Sequence, residues 1–160
     1  MQNKNSWLIF LSIIAVFGCK KERLTYEVSD KYSGPCVVFI YKNEQYENKS
    51  NAVFIENGLG RVSENIVKQE FNFFSKEKHI PLDIVNIGKL EEANKNKKYV
   101  FELVNGYSSS KCTKEDLHLV FFFYGYKSEY LNWSKVYHDE FGYFDSMGID
   151  WCKYYKSGIK

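Results

Sequence analysis

Leu117-His118-Leu119-Val120-Phe121-Phe122-Phe123-Tyr124 is the stretch on which the fold turns. It is rich in aromatic and branched residues and shows no polar alternation, the signature of a strand buried on both faces. Left exposed, such a run would template aggregation, so it belongs at the centre of a sheet. Working outward, Cys36-Val37-Val38-Phe39-Ile40-Tyr41 reads as a second two-faced strand. Leu24-Thr25-Tyr26-Glu27-Val28, Ala52-Val53-Phe54-Ile55-Glu56, Gln69-Glu70-Phe71-Asn72-Phe73-Phe74, Leu82-Asp83-Ile84-Val85-Asn86-Ile87 and Tyr99-Val100-Phe101-Glu102-Leu103-Val104 complete the strand set. Asn57-Gly58 after the third of these is a hairpin cue, because a tight turn needs positive φ at both central residues. Asn105-Gly106 reads as a break, and Leu90 to Lys98 as a helical turn or two, or a solvated loop.

After Tyr124 the period changes. Ser128 is a plausible N-cap, and Tyr130, Trp133 and Tyr137 recur at helical spacing, which predicts one helix of about ten residues laid on a sheet. Phe141 to Lys160 shows no clean period and reads as irregular chain with a short helical turn. Short strands with regular turn signals and one late helix predict a mainly β protein. The expected form is an antiparallel β-sandwich of prealbumin- or immunoglobulin-like type, and a compact α+β sheet with a packed helix is the alternative.

Composition agrees with one globular domain. Hydrophobic residues make up 44% and charged residues 26% of the chain, and the net charge is +2. That charge is far from the basic face a nucleic-acid binder needs, so no nucleic acid is expected.

The chain opens with a polar Met1-Gln2-Asn3-Lys4-Asn5, then an apolar block from Trp7 to Phe17, then Gly18-Cys19-Lys20-Lys21. This is the layout of a secretory leader, too short for a spanning helix. A small residue followed at once by cysteine resembles the lipobox of bacterial lipoproteins, with Phe17 where that pattern prefers a smaller residue. The resemblance implies a signal peptide over residues 1–18, a lipidated tether over 19–23 and a single globular domain over 24–160. It further implies acylation of Cys19, a membrane partner through the lipid anchor, and an address in the bacterial cell envelope, at the outer rather than the inner membrane.

Three cysteines then remain, so one disulfide is allowed and one thiol is left over. Any pair among Cys36, Cys112 and Cys152 is open. The apolar setting of Cys36 and the polar setting of Cys112 favour Cys112–Cys152. No two cysteines have zinc-site spacing, so no metal is expected.

From Tyr32-Ser33-Gly34-Pro35-Cys36-Val37-Val38, through Phe54-Ile55-Glu56-Asn57-Gly58, to Phe123-Tyr124-Gly125 and Ser128-Glu129-Tyr130, the chain resembles small envelope lipoproteins of Bacteroidota type, a domain family without assigned activity. The resemblance implies location and fold class and transfers no catalytic residue.

Chemistry has little to stand on. No nucleophile elbow, phosphate loop or zincin motif is present. His79, His118 and His138 are scattered, and His138-Asp139-Glu140 points its side chains in different directions. Cys112 with His118 lacks a third, orienting group. The expectation is therefore no enzyme, no cofactor and no catalytic residue.

The one surplus is aromatic: 13 Tyr, 13 Phe and 3 Trp. Tyr130, Trp133, Tyr137 and Trp151 are the candidates for binding an unknown envelope protein or glycan, against the plainer role of covering the sheet. The functional expectation is a membrane-anchored envelope lipoprotein with a non-catalytic β-rich domain that binds a partner. An immunity or inhibitor lipoprotein, or a small metal-dependent hydrolase, is the alternative.

Overall fold

The computed structural model describes residues 23–42, 45–48, 50–67, 71–108, 116–137 and 146–159. The expected leader, and the expected tether except for Arg23, lie outside them. The protein is mainly β, in two sheets with few helices. Its strands are β1 (Leu24–Val28), β2 (Gly34–Tyr41), β3 (Ala52–Ile55), β4 (Leu59–Ser63), β5 (Phe71–Ser75), β6 (Ile84–Val85), β7 (Lys98–Ser108) and β8 (Leu117–Tyr126). The helices are α1 (Glu64–Val67), a 3-10 helix at Ile87–Glu92, α2 (Lys127–Ser134) and the C-terminal α3 (Trp151–Lys156).

One sheet has the order β3-β1-β5 and the other β4-β2-β8-β7-β6. As its composition requires, β8 is the middle strand of the larger sheet, between β2 and β7. Period-2 alternation sorts its side chains. Val120, Phe122 and Tyr124 join Cys36, Val38 and Ile40 of β2 in facing Leu24, Tyr26, Val28, Val53, Ile55 and Phe73 of the smaller sheet. Leu117, Leu119 and Phe121 face the other way, with Val37, Phe39 and Tyr41, and are covered by Tyr155 of α3. Phe123 and Phe101 on that side are covered by Tyr130 of α2. The layers are thus small sheet, large sheet, helices, and the large sheet is buried on both faces. Burying one such side chain stabilises the fold by about 1.5–3 kcal/mol, which holds the central strands in place.

The expected antiparallel pairing is corrected. Among the described strand pairs, β2–β8 and β7–β8 are antiparallel, and β1–β3, β1–β5, β2–β4 and β6–β7 are parallel. The cause is the path of the chain. From β1 to β5 it alternates between the two sheets, so each return to the smaller sheet arrives in the same direction. These neighbours are therefore parallel without a long helical crossover, whereas β6 and β7 are joined through the 3-10 helix at Ile87–Glu92.

Smaller differences have local causes. The Asn57-Gly58 turn has φ of 51° and 81°, as a tight turn demands. One bridge closes there, Glu56 to Leu59, and the two strands then part into different sheets. The run after the turn, Leu59–Ser63, is absent from the expected strand set and is itself β4. Asn105-Gly106 does not break β7, because Gly106 pairs with Leu119 after a bulge between Phe101 and Val104. Glu102 sits in that bulge at φ 52°. The expected strand at Leu82–Ile87 shrinks to two residues at the sheet edge, where Ile84 and Ile87 are exposed. Helix α2 starts one residue before the expected N-cap Ser128: Tyr126 is the N-cap, and its N–H donates to Glu129 at 2.9 Å.

Candidate functional site

A groove of about 610 Å³ lies along the outer edges of β3 and β4, where the strands part after the Asn57-Gly58 turn. Tyr46, Phe54, Arg61 and Tyr154 form its walls, with Glu47 and Glu56 on the rim. Local sequence explains the placement. Val53 and Ile55 turn inward to the core while Phe54, between them, turns outward and is half exposed. Arg61 is the one cation in an otherwise inward-packed β4.

Arg61 is held rigidly. Its Nη2 donates to the Tyr154 carbonyl at 2.8 Å and to Ser157 Oγ at 2.7 Å. Its guanidinium lies over the Tyr154 ring at 3.9 Å, a contact of about 0.5–1 kcal/mol or more as water is excluded. Tyr41 stacks on Tyr155 at 4.8 Å and 5°, and its O–H donates to the Tyr155 carbonyl at 2.9 Å. Tyr46 stacks on the other side of Tyr41 at 5.2 Å. Burial raises the hydroxyl pKa of both Tyr41 and Tyr154, and the nearby Arg61 charge only partly opposes it. Tyr41 and Tyr154 are therefore held neutral beside the Arg61 charge, and the wall is tied to α3.

A smaller cleft of about 240 Å³ sits at the far end, where β1 and β5 finish. Lys98 Nζ donates there to the carbonyls of Asp30 at 2.8 Å and Tyr32 at 2.7 Å, between the rings of Tyr124 and Tyr126. Lys78 pairs with Asp30, and Lys97 with Asp83. Lys98 thus ties the loop after β1 to β7, and this cleft joins the two sheets.

The fold sets the aromatic sequence candidates over one face of the large sheet. Tyr130 is 3% exposed and stacks on Phe101 at 4.6 Å and 7°, which makes it core. Its hydroxyl pKa is raised by burial and by the Glu102 carboxylate it hydrogen-bonds. Trp133 is half-buried against Phe123 at 5.4 Å, and Tyr137 stacks on it at 5.8 Å. Trp151 is half-buried against the face covered by α3. The first three are brought together as a covering layer over the sheet, and Trp151 packs over the neighbouring cluster.

Cys19, Cys112 and His138-Asp139-Glu140 lie outside the described residues. Cys152 is disulfide-bonded, and Cys36 is a free, fully buried thiol whose pKa is raised by burial. His79 is exposed at φ 53°. His118 stacks on Tyr107 and bonds Asn105 at 2.8 Å. Among the described residues no three His, Cys, Asp or Glu side chains gather as a metal site, and no helix is long and apolar enough to cross a membrane.

Tyr46, Phe54 and Arg61 of the groove are not singled out by the sequence. One signal was present, an arginine inside the short apolar run Leu59-Gly60-Arg61-Val62. Its partner Tyr154 is far along the chain, and nothing local joins the two. The chain matches no protein-family model, no curated protein and no solved structure.

Proposed function

We propose that this chain is a lipid-anchored protein of the bacterial cell envelope whose non-catalytic domain binds a partner protein in the groove between β3 and β4. The groove carries this reading: it is open, aromatic-walled and braced by Arg61. The leader supports the address. A tether over residues 19–23 reaches at most about 17 Å when fully extended. Thr25 is in register with Ala52, so the tethered end of β1 lies beside the Ser50 end of the groove. A partner in or on the same membrane is then within reach. The two sheets packed across Tyr26, Phe73 and Phe122 support a sandwich-like description of the domain. With Cys36 free, acylation of Cys19 would leave Cys112 as the mate of Cys152.

Two measurements test this. Mass spectrometry of the mature N-terminus should find acylated Cys19, and a free amine at Lys20 or an intact Met1 would overturn the anchor. A photo-crosslinking residue at Tyr46, introduced in the native envelope, should form a defined protein adduct. An adduct obtained only from Tyr137 would move the binding surface to the α2 aromatics.

A further inference from the structure

We infer that the groove takes its partner as an added β-strand: an extended, lysine- or arginine-bearing segment of the partner pairs with the open backbone edges of Phe54 and Arg61. This rests on the binding role proposed above and names its mode. In a parallel pair, alternate residues bond to the neighbour and the others point away. Thr25 N–H donates to the Asn51 carbonyl and Val37 N–H to the Gly58 carbonyl. The backbone groups of Ala52, Phe54 and Glu56 on β3, and of Leu59, Arg61 and Ser63 on β4, therefore point outward.

Four of these six are already engaged. Glu56 and Leu59 exchange two bonds of 2.9 Å across the turn. Ala52 N–H donates to Ser50 Oγ, which donates in turn to the Ala52 carbonyl. Ser63 N–H donates to Asn48 Oδ1 at 2.7 Å. Phe54 and Arg61 remain, and among the described residues neither finds a backbone partner on its outward side. Had the hairpin continued past Glu56 and Leu59, these two would have been its next bonded pair. The splay of β3 and β4 into different sheets leaves their groups facing the groove instead.

Unpaired strand edges are normally blunted by charge, proline or short length. Here the turn and two side-chain caps close the ends and leave the middle open. Main-chain bonds supply affinity in strand addition, and flanking pockets supply selectivity. Tyr46 and Tyr154 would take alternate side chains of the segment. Charge selects a cation. Arg61 is already committed to Tyr154 and Ser157, while the Glu56 carboxylate is exposed on the rim with no ion pair among the described residues. A second copy of this chain is a poorer fit, because the exposed edge of its own β7, Val104 to Tyr107, carries no cation.

The test is amide hydrogen exchange on the mature protein in detergent, with acetyl-Thr-Val-Lys-Val-Thr-Val-amide as the probe. The expected result is at least tenfold slower exchange at Phe54 and Arg61 when peptide is bound. A peptide N-methylated at alternate residues should give no slowing. Phe54→Pro removes one outward donor without touching the β1 ladder, as edge strands allow, and should abolish peptide protection at Arg61. Should that variant fail to fold, the N-methylated peptide still decides. Glu56→Lys should weaken binding about twofold to fivefold, the range of an exposed ion pair.

Equal binding of the methylated peptide, or no binding at millimolar peptide, would overturn strand addition. A Tyr46 crosslink obtained alongside either result would leave the groove's binding role standing. Slowing by cellohexaose would replace the strand with a glycan, and slowing by raised protein concentration alone would replace it with a second copy.

Discussion

Gly125 has no side chain because the space is taken. A Cβ added there would run into Ser33 Oγ and Glu129 Oε2. Those two atoms are the local clasp: Ser33 O–H donates to the Glu129 carboxylate, which also accepts the Tyr126 N–H at the start of α2. One carboxylate thus caps a helix and fastens it to the strand entering the core. Gly125→Ala forces the clasp apart, so its expected cost is that of overpacking, about 1–3 kcal/mol. Urea unfolding of Gly125→Ala and of Gly125→Ala with Ser33→Ala checks the cause. The double variant should recover part of the loss, and no recovery would place the strain elsewhere. Gly58 is the parallel case at the other turn, with φ 81° and the Pro35 carbonyl against any added Cβ.

At the scale of elements, what was legible in the sequence depended on how local each cause is. β8 and β2 were readable because burial on both faces leaves a continuous apolar run. β4 was not, because Leu59-Gly60-Arg61-Val62 is short and broken by a glycine and a cation. Turn chemistry marked Asn57-Gly58 correctly, yet it could not show that the flanking strands would join different sheets. The parallel pairings and the groove both follow from that parting, so neither was visible in spacing. α3 shows the same limit: Trp151–Lys156 has no clear period, because it covers the sheet with Tyr155 and Tyr154 rather than along an amphipathic stripe. Its Cys152 is disulfide-bonded. If the mate is Cys112, the bond closes a loop of roughly 40 residues, and the chain-entropy model gives about 4 kcal/mol. Non-reducing peptide mapping should recover a Cys112–Cys152 peptide, and Cys152→Ser should lower stability by about 2–4 kcal/mol while exposing Tyr41 and Tyr155 to quencher. A mapped Cys36 bridge, or unchanged stability, would contradict this account.

Across the whole molecule, the core holds several ionisable groups in neutral form. Tyr26, Tyr41 and Tyr124 are almost fully buried in it, together with the Cys36 thiol. Burial disfavours the charged form of each, so their pKa values lie above the ordinary 10.0 for tyrosine and 9.0 for the thiol. The sign of the linkage follows. Below those ordinary values both folded and unfolded chains are protonated, and the stability is fully present. As pH rises past 9.0 and then 10.0, the unfolded chain releases protons that the folded chain keeps. The folded state then binds more protons, and stability falls with pH by up to about 1.4 kcal/mol per unit for each such group. Urea midpoints should therefore be level through neutral pH and drop steeply above pH 10, with tyrosinate absorbance appearing together with unfolding. Tyr26→Phe removes one of these protons, so its midpoint should fall less steeply than that of the parent chain even if it starts lower. Tyrosinate signal rising while the fold stays intact, or equal slopes for the two proteins, would show that the core admits the charge and that burial does not set its alkaline limit.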